Sequence, residues 1–486
     1  VLQAVGSLAA NVRRDLGDTT PESARLAASE TFTTSSIDAV REYNIAQDLQ
    51  NDSRYEEAIP HFKSAIDRDP QFGRAYSGWA TCAFELGRND EADQLWKKAL
   101  SLMDRMTERE RYRTLGTYYL AIARNYDQAI DNYVKLLERY PADRSAHNNL
   151  AIAYFNKLNF PKALEEGRKA LDIYKGSVKF RNNYVLYAMY AGDFATAETG
   201  ARQLLREDPK FSDAYFPLAM ALLAKDDRAG ARAAFEQLTG TGSSGASRSA
   251  MGLADLAMYE GRYGDAGKIL SEAVVADEKS GNTVGRASKY VALAEVYGAT
   301  GDQPHAFDAA RKALSVNRLE SVAMPSARIF AAGGRTADAR ALAAELSKNL
   351  QSQTRAYGRI AEGEIALQED RVNDAVEAFR AAAGLLDVWL AHFDLGVAYV
   401  RAGHHAEALS EFETCAKRRG EATAVFLDDI PSFRYLASLS YWMGRAQEGV
   451  GMTGPSKDNF KTYLSIRSES ARDPLAADAR RRLEKS

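Results

Sequence analysis

Two cysteines, Cys82 and Cys415, are all that the 486 residues contain, and they stand more than 300 positions apart. That excludes a disulfide framework and a cysteine-based zinc site, and both are expected as small apolar core fillers. Histidine is scarce too: none of the six lies in an HExxH pattern, and His404-His405 has no third ligand at metal spacing, so it reads as a solvated turn. Net charge is close to balance, at −3, which argues against nucleic acid or an anionic membrane as the main partner. No run approaches the ~20 apolar residues that a membrane-spanning helix needs. A signal peptide and an initiating Met are both missing, and the opening at Val1 suggests a processed product or a piece of a longer polypeptide. What remains is 45% hydrophobic and 27% charged, a composition of which most can fold, either as two or three domains or as one extended array.

Self-similarity decides between those two. "RAYSGWATCAFELGRNDEADQLWKKAL", from Arg74, and "AHFDLGVAYVRAGHHAEALSEFETCAK", near the C-terminus, share one skeleton. Trp79 or Leu395 precedes a small residue (Ala80, Gly396). A turn follows, then an Ala (Ala92, Ala408), an aromatic (Trp96, Phe412) and another small residue (Ala99, Cys415). The Ala recurs at 58, 92, 129, 163, 197, 231, 266, 306, 339, 375 and 408, often in steps of 34 residues, and Pro70, Pro141 and Pro209 close repeats. This pattern resembles the tetratricopeptide repeat, whose unit is a 34-residue helix–turn–helix. The resemblance covers about residues 37–467 and implies an all-α superhelical solenoid of about twelve helix pairs. "DPLAADARRRLEKS" has an apolar side (Leu475, Ala479, Leu483) and an Arg-rich side, as expected of a C-terminal capping helix.

The departures suggest how the array is divided. "SLMDRMTERE" inserts residues between the second and third repeats, while "TGTGSSGAS" (239–247) and "EKSGNTVGR" (278–286) read as Gly- and Ser-rich joints between repeats. The expected organisation is an amphipathic helix with a polar linker over 1–36, one repeat block over 37–240, a second over 247–467, and a cap over 468–486. The first segment, continuing into "TTSSIDAVREYNIAQ", resembles the junction in large bacterial proteins that carry a serine/threonine kinase or TolB-like domain upstream of such an array. "FLDDIPSFRYLASLSYWMGRAQEGVGM" is similar to the ends of the same arrays. That resemblance implies a bacterial protein, cytoplasmic or held at a membrane through an upstream segment.

Catalytic signatures fail on context. Gly240 to Gly245 spells GxGxxG, but a repeat helix precedes it where a dinucleotide fold needs a strand, so it is expected to be a loop between repeats. Kinase motifs and a GxSxG elbow are missing, and the adjacent Asp428 and Asp429 suit a helix cap better than an acid–base pair. No enzyme, cofactor or metal is expected within this chain.

The candidate binding residues sit on first helices of repeats, which line the concave groove in the family. Asn148 and Asn149 occupy the fifth and sixth positions of one repeat, and Asn182 and Asn183 the same positions of the next. Asn is a poor helix former, so four of them in register call for a reason. The sixth-position Asn resembles the asparagine ladder in the superhelix of O-linked N-acetylglucosamine transferase, which grips peptide backbones. A carboxamide can do so because it offers both a donor and an acceptor. Other repeats carry Gly78, Leu115, Pro217, Gly252 or Asp394 at that position, so the ladder is short. Arg111 and Lys179, at second positions, would add charge recognition, and Tyr118 completes the candidate set. The other reading of the asparagines is that they bond between neighbouring helices and stabilise the stack. The expectation for function is a scaffold or sensor module binding a protein or an extended peptide in the groove; the alternative is a permanent subunit of a larger assembly.

Overall fold

A computed structural model describes residues 32–424, 432–467 and 473–485. The expected helix within 1–36 and the Asp428-Asp429 cap lie outside the described residues. Among the described residues there is no strand; helix follows helix. In the N-terminal part run α1 (Ile37–Asn51), α2 (Tyr55–Arg68), α3 (Gly73–Glu85), α4 (Asn89–Ser101), α5 (Glu108–Ala121), α6 (Tyr126–Arg139), α7 (Arg144–Asn156), α8 (Phe160–Ile173) and α9 (Val178–Tyr190). There follow α10 (Phe194–Glu207), α11 (Tyr215–Leu223), α12 (Arg228–Leu238), α13 (Ser243–Tyr259), α14 (Tyr263–Ser280), α15 (Thr283–Ala299), α16 (Gln303–Val316), α17 (Glu320–Ala332) and α18 (Thr336–Ser347). The rest are α19 (Ser352–Gln368), α20 (Val372–Leu385), α21 (Trp389–Ala402), α22 (His405–Lys417), α23 (Leu439–Gly449), α24 (Thr453–Ile466) and α25 (Pro474–Lys485). Odd-numbered helices up to α23 open repeats and even-numbered ones close them. No described helix is long and apolar enough to cross a membrane.

The recurring Ala is the packing anchor. All eleven lie on closing helices, each at most 2% exposed, where any larger side chain would force the helix pair apart. The opening helix contributes its own small residue to the same approach: a Cβ on Gly396 would stand 2.6 Å from the Phe412 ring. Between the two helices of a repeat the chain needs one left-handed residue. Gly403 supplies it at φ +79°, whereas Arg124 is held there at φ +47° without glycine's freedom. Both cysteines are buried as core fillers, and burial pushes the Cys82 thiol up to about 12. Trp389 donates its indole N–H to the Cys415 carbonyl at 2.9 Å. The inserted residues after α4 form a 3₁₀ turn over Met103–Arg105 and then the capping box of α5, Thr107 with Glu110.

The Gly- and Ser-rich segments differ from the loops expected of them. Residues 239–241 are a 3₁₀ turn, Gly242 alone turns the chain at φ +115°, and Ser243 onward is already α13. Likewise α14 runs to Ser280, and only Gly281 and Asn282 separate it from α15, with Asn282 capping the Gly285 N–H at 3.0 Å. The small residues serve close packing rather than looseness: Ser249 donates to the Phe235 carbonyl at 2.6 Å, and buried Ser247 receives the Lys289 ammonium at 2.7 Å. The chain divides into two compact units, Val1–Tyr187 and Ala188–Ser486, a boundary that falls before residue 240.

The end of the second unit is not a plain continuation of the array. After α22 a 3₁₀ turn (Arg419–Thr423) sets Arg419 over the Phe194 ring at 5.1 Å. A second 3₁₀ turn, Arg434–Ser438, precedes α23. From there α24 brings Arg467 to the Met258 carbonyl and the Tyr263 hydroxyl, both at 2.9 Å. The cap α25 buries Ala476 and Ala479, with Leu475 and Leu483 packed on the Tyr441–Phe460–Tyr463 core.

Candidate partner-binding surfaces

In the N-terminal unit the asparagines are placed by α7 and α9. Asp143 caps α7 by accepting from the Ala146 N–H at 3.1 Å and is itself held by Arg113 (2.8 Å from Nε) and Arg109 (3.3 Å). Burial would push the Asp143 carboxyl up, but Arg113 and Arg109 prevail and hold it below the usual range. Ser177 caps the Phe180 N–H at the start of α9, at 3.2 Å.

Held this way, the amides bond to one another across helices. Asn183 Nδ2 donates to Asn148 Oδ1 (3.1 Å), Asn148 Nδ2 to Asn149 Oδ1 (3.1 Å), and Asn149 Nδ2 to the Tyr133 hydroxyl (3.0 Å). The Thr117 hydroxyl is 3.0 Å from Tyr133 and spends its own proton on the Arg113 carbonyl at 2.9 Å, so Tyr133 donates to Thr117. The run is therefore one-directional, from α9 through α7 and α6 to α5. Burial pushes the Tyr133 phenol up to about 12, which keeps it a donor. Three of the four candidate asparagines are thus joined into one run through three repeats. Asn182 is not part of the run, and its Oδ1 is buried without a partner among the described residues. Arg111 is exposed and Lys179 half-buried, and neither has an ion-pair partner among the described residues. Tyr118 packs edge-on against Trp96, ring centres 5.7 Å apart, as part of a core cluster.

The C-terminal unit uses charge where the N-terminal unit uses amides. Asp255 on α13, Glu295 on α15, Arg328 on α17 and Glu364 on α19 each stand eleven residues before the recurring Ala of their repeat. Arg328 donates from Nη2 to Glu364 (2.7 Å) and to Asp394 of α21 (2.6 Å). Burial and the neighbouring Glu364 push the Asp394 carboxyl up in spite of Arg328. The other two carboxylates hold the chain's own returning segment. Arg434 donates to Asp255 at 2.6 Å and to Glu295, Tyr435 donates to Glu295, and the Phe433 N–H reaches Asp255 at 3.3 Å. Phe433 stacks parallel to Phe235 at 6.4 Å and lies 6.0 Å from Tyr259. Asp255 is fully buried; burial pushes its carboxyl up, and Arg434 opposes that shift. These residues escaped the sequence reading, although their common offset from the Ala was there to be read.

The helix pairs, the recurring Ala and the residues arrayed on opening helices define an all-α repeat scaffold for protein interaction. The chain belongs to the tetratricopeptide repeat family. One model of that repeat matches residues 114–178, 185–239, 216–282 and 360–422, a second matches 51–110, and together they span more than half of the chain. No curated protein matches the sequence. Among solved structures, yeast Tom70 aligns at 14% identity over 86% of this chain and 97% of its own, with a TM-score of 0.40. A chain of the APC/C hetero-tetramer Cut9-Hcn1 aligns at 12% identity over 98% and 88%, with a TM-score of 0.36. A tetratricopeptide repeat protein from Parabacteroides merdae aligns at 16% identity over 58% and 94%, with a TM-score of 0.30. Proteins of this family bind proteins or peptides.

Proposed function

We propose that the chain is a protein-binding scaffold that takes an extended, acidic partner segment on the opening helices of its N-terminal unit. The observation that carries this reading is the docking of Phe433–Ser438: on the opening helices of the C-terminal unit, side chains at a recurring position already hold a short segment that is not part of a repeat helix. Two turns earlier on opening helices, eighteen residues before the Ala, the N-terminal unit carries Arg111 and Lys179, two repeats apart in register and without carboxylate partners among the described residues. Two such cations suit a segment bearing carboxylates. Asn148, Asn149 and Asn183 take the supporting role, since a partner could claim their amides only by breaking the run. The finer role, as the binding arm of a bacterial signalling protein, rests on the sequence resemblance of residues 1–36.

The test is to crosslink the chain in its host, identify the protein joined to it, and repeat the binding measurement with purified components. Arg111→Glu with Lys179→Glu should abolish binding with an unchanged melting temperature. Binding that survives both charge reversals would remove the N-terminal unit as the site and favour a permanent subunit held by other surfaces.

A further inference from the structure

The returning segment completes a cavity of about 290 Å³ in the C-terminal unit. One wall is apolar, formed by Met258, Ile329, Ala299 and Ala332, and the last two are exposed, so the cavity opens to solvent beside them. The polar lining is Arg328, Arg434 and Arg467 with Glu295, Tyr435, Tyr263 and Gln303.

Hydrogen-bonding capacity on that polar wall is unbalanced. Both oxygens of Glu295 are used, by Arg434 and by Tyr435. Arg434 donates from Nε to Glu295 and from Nη1 to Asp255. Arg328 donates from Nη2, to Glu364 and Asp394, and among the described residues Nη1 and a buried Nε have no acceptor. Arg467 donates only from Nη1; its Nε is buried without a hydrogen bond, 3.7 Å from Asp473, and Nη2 has no acceptor among the described residues. The acidic groups nearby are already engaged: Glu364 and Asp394 with Arg328, Asp255 with Arg434, and Asp473 with the Tyr463 hydroxyl at 2.6 Å. The free terminal nitrogens of Arg328 and Arg467 outnumber the one uncommitted acceptor of the lining, the Gln303 amide oxygen, so the cavity suits a ligand that brings an acceptor, best a charged one.

We propose that this cavity binds a small organic acid, its carboxylate set between Arg467 and Arg328 and its apolar body against Met258 and Ile329. The volume suits a molecule of about 10–15 non-hydrogen atoms, at the small end of ligand pockets. Arg434 and Tyr435 reach the cavity only because their segment is docked, so the acid also stabilises that docking.

Titration calorimetry on the full chain tests this with three probes: 3-phenylpropionate, its neutral amide 3-phenylpropanamide, and the peptide acetyl-Ala-Ala-Phe. The free acid should bind, and the amide should bind about tenfold more weakly or worse, because it gives up the charge-assisted pairing. Ala299→Trp, at the exposed mouth, should abolish binding without lowering the melting temperature. Arg467→Met should remove the preference for acid over amide; if that variant does not fold, Ala299→Trp still decides. Absence of binding by the acid, equal binding of the amide, tighter binding of the peptide, or binding that survives Ala299→Trp would each overturn the proposal.

Discussion

The two units build the same helix pairs and place opposite chemistry on them. Eleven residues before the recurring Ala, the N-terminal unit carries Gln47, Thr81, Tyr118, Ile152 and Leu186, all uncharged, whereas four successive repeats of the C-terminal unit carry Asp255, Glu295, Arg328 and Glu364. In the first unit the polar run is made of neutral amides and hydroxyls that satisfy one another. In the second it is made of ions that need a segment from far along the chain to complete them. A repeat fold fixes where a side chain stands but not whether it looks inward or outward for its partner. That difference gives the units different vulnerabilities.

The largest effect should come from removing one member of the buried ionic set. Asp255→Ala leaves Arg434 without one of its two counter-charges, and breaking a buried pair costs about 3–5 kcal/mol. Urea unfolding should show that loss in the C-terminal unit alone, and native proteolysis should begin to cut near residue 434; equal destabilisation of both units would erase the comparison.

Next comes pH. His392 is bound on one side by Asp387 at 2.6 Å and on the other by Glu411 at 2.7 Å. Burial lowers its pKa, but these carboxylates more than offset that and lift it to about 9. A histidine raised in the folded state stabilises fully below its ordinary value of about 6.5, and the contribution fades as pH rises toward the folded value, here by about 3 kcal/mol in all. Stability of the C-terminal unit should therefore fall between about pH 6.5 and 9, and His392→Gln should flatten that slope.

The amide run should respond more mildly. Asn149→Ala removes the donor to Tyr133 and the acceptor for Asn148, and a stranded buried group costs about 1–3 kcal/mol. The melting temperature of the N-terminal unit should drop while partner binding through Arg111 and Lys179 persists. If partner binding is lost and melting is unchanged, the amides grip the partner and the stacking account fails. The smallest effect is a gain: Arg124→Gly at φ +47° should relieve left-handed strain and raise stability by about 1 kcal/mol, visible as a slightly later unfolding midpoint.

Much of the fold was legible because the repeat writes its packing into single positions. Eleven alanines recurring every 33 to 40 residues announce eleven close helix approaches, and each proved buried. The asparagines were legible as a register but not as a direction. Whether Asn149 faces a groove or Tyr133 depends on a ring sixteen residues earlier on another helix, and spacing alone does not carry that. The Gly–Ser segments misled because small residues serve both loose turns and tight packing, and the hydrogen bonds of Ser247 and Ser249 decide for packing. The docking of Arg434 was least legible. It joins residues 179 positions apart, and no local pattern encodes a contact of that range.

That long reach alters the order in which the molecule can be made. A repeat array usually adds stability one unit at a time as each repeat emerges and stacks on the last. At about 5–20 residues per second, Asp255 is synthesised roughly 10–40 s before the arginine that neutralises it. Until then the middle of the array carries an unpaired carboxyl facing water, and α13 to α19 can stack but not lock. Vectorial growth is followed by a closing step that waits for the segment around Arg434.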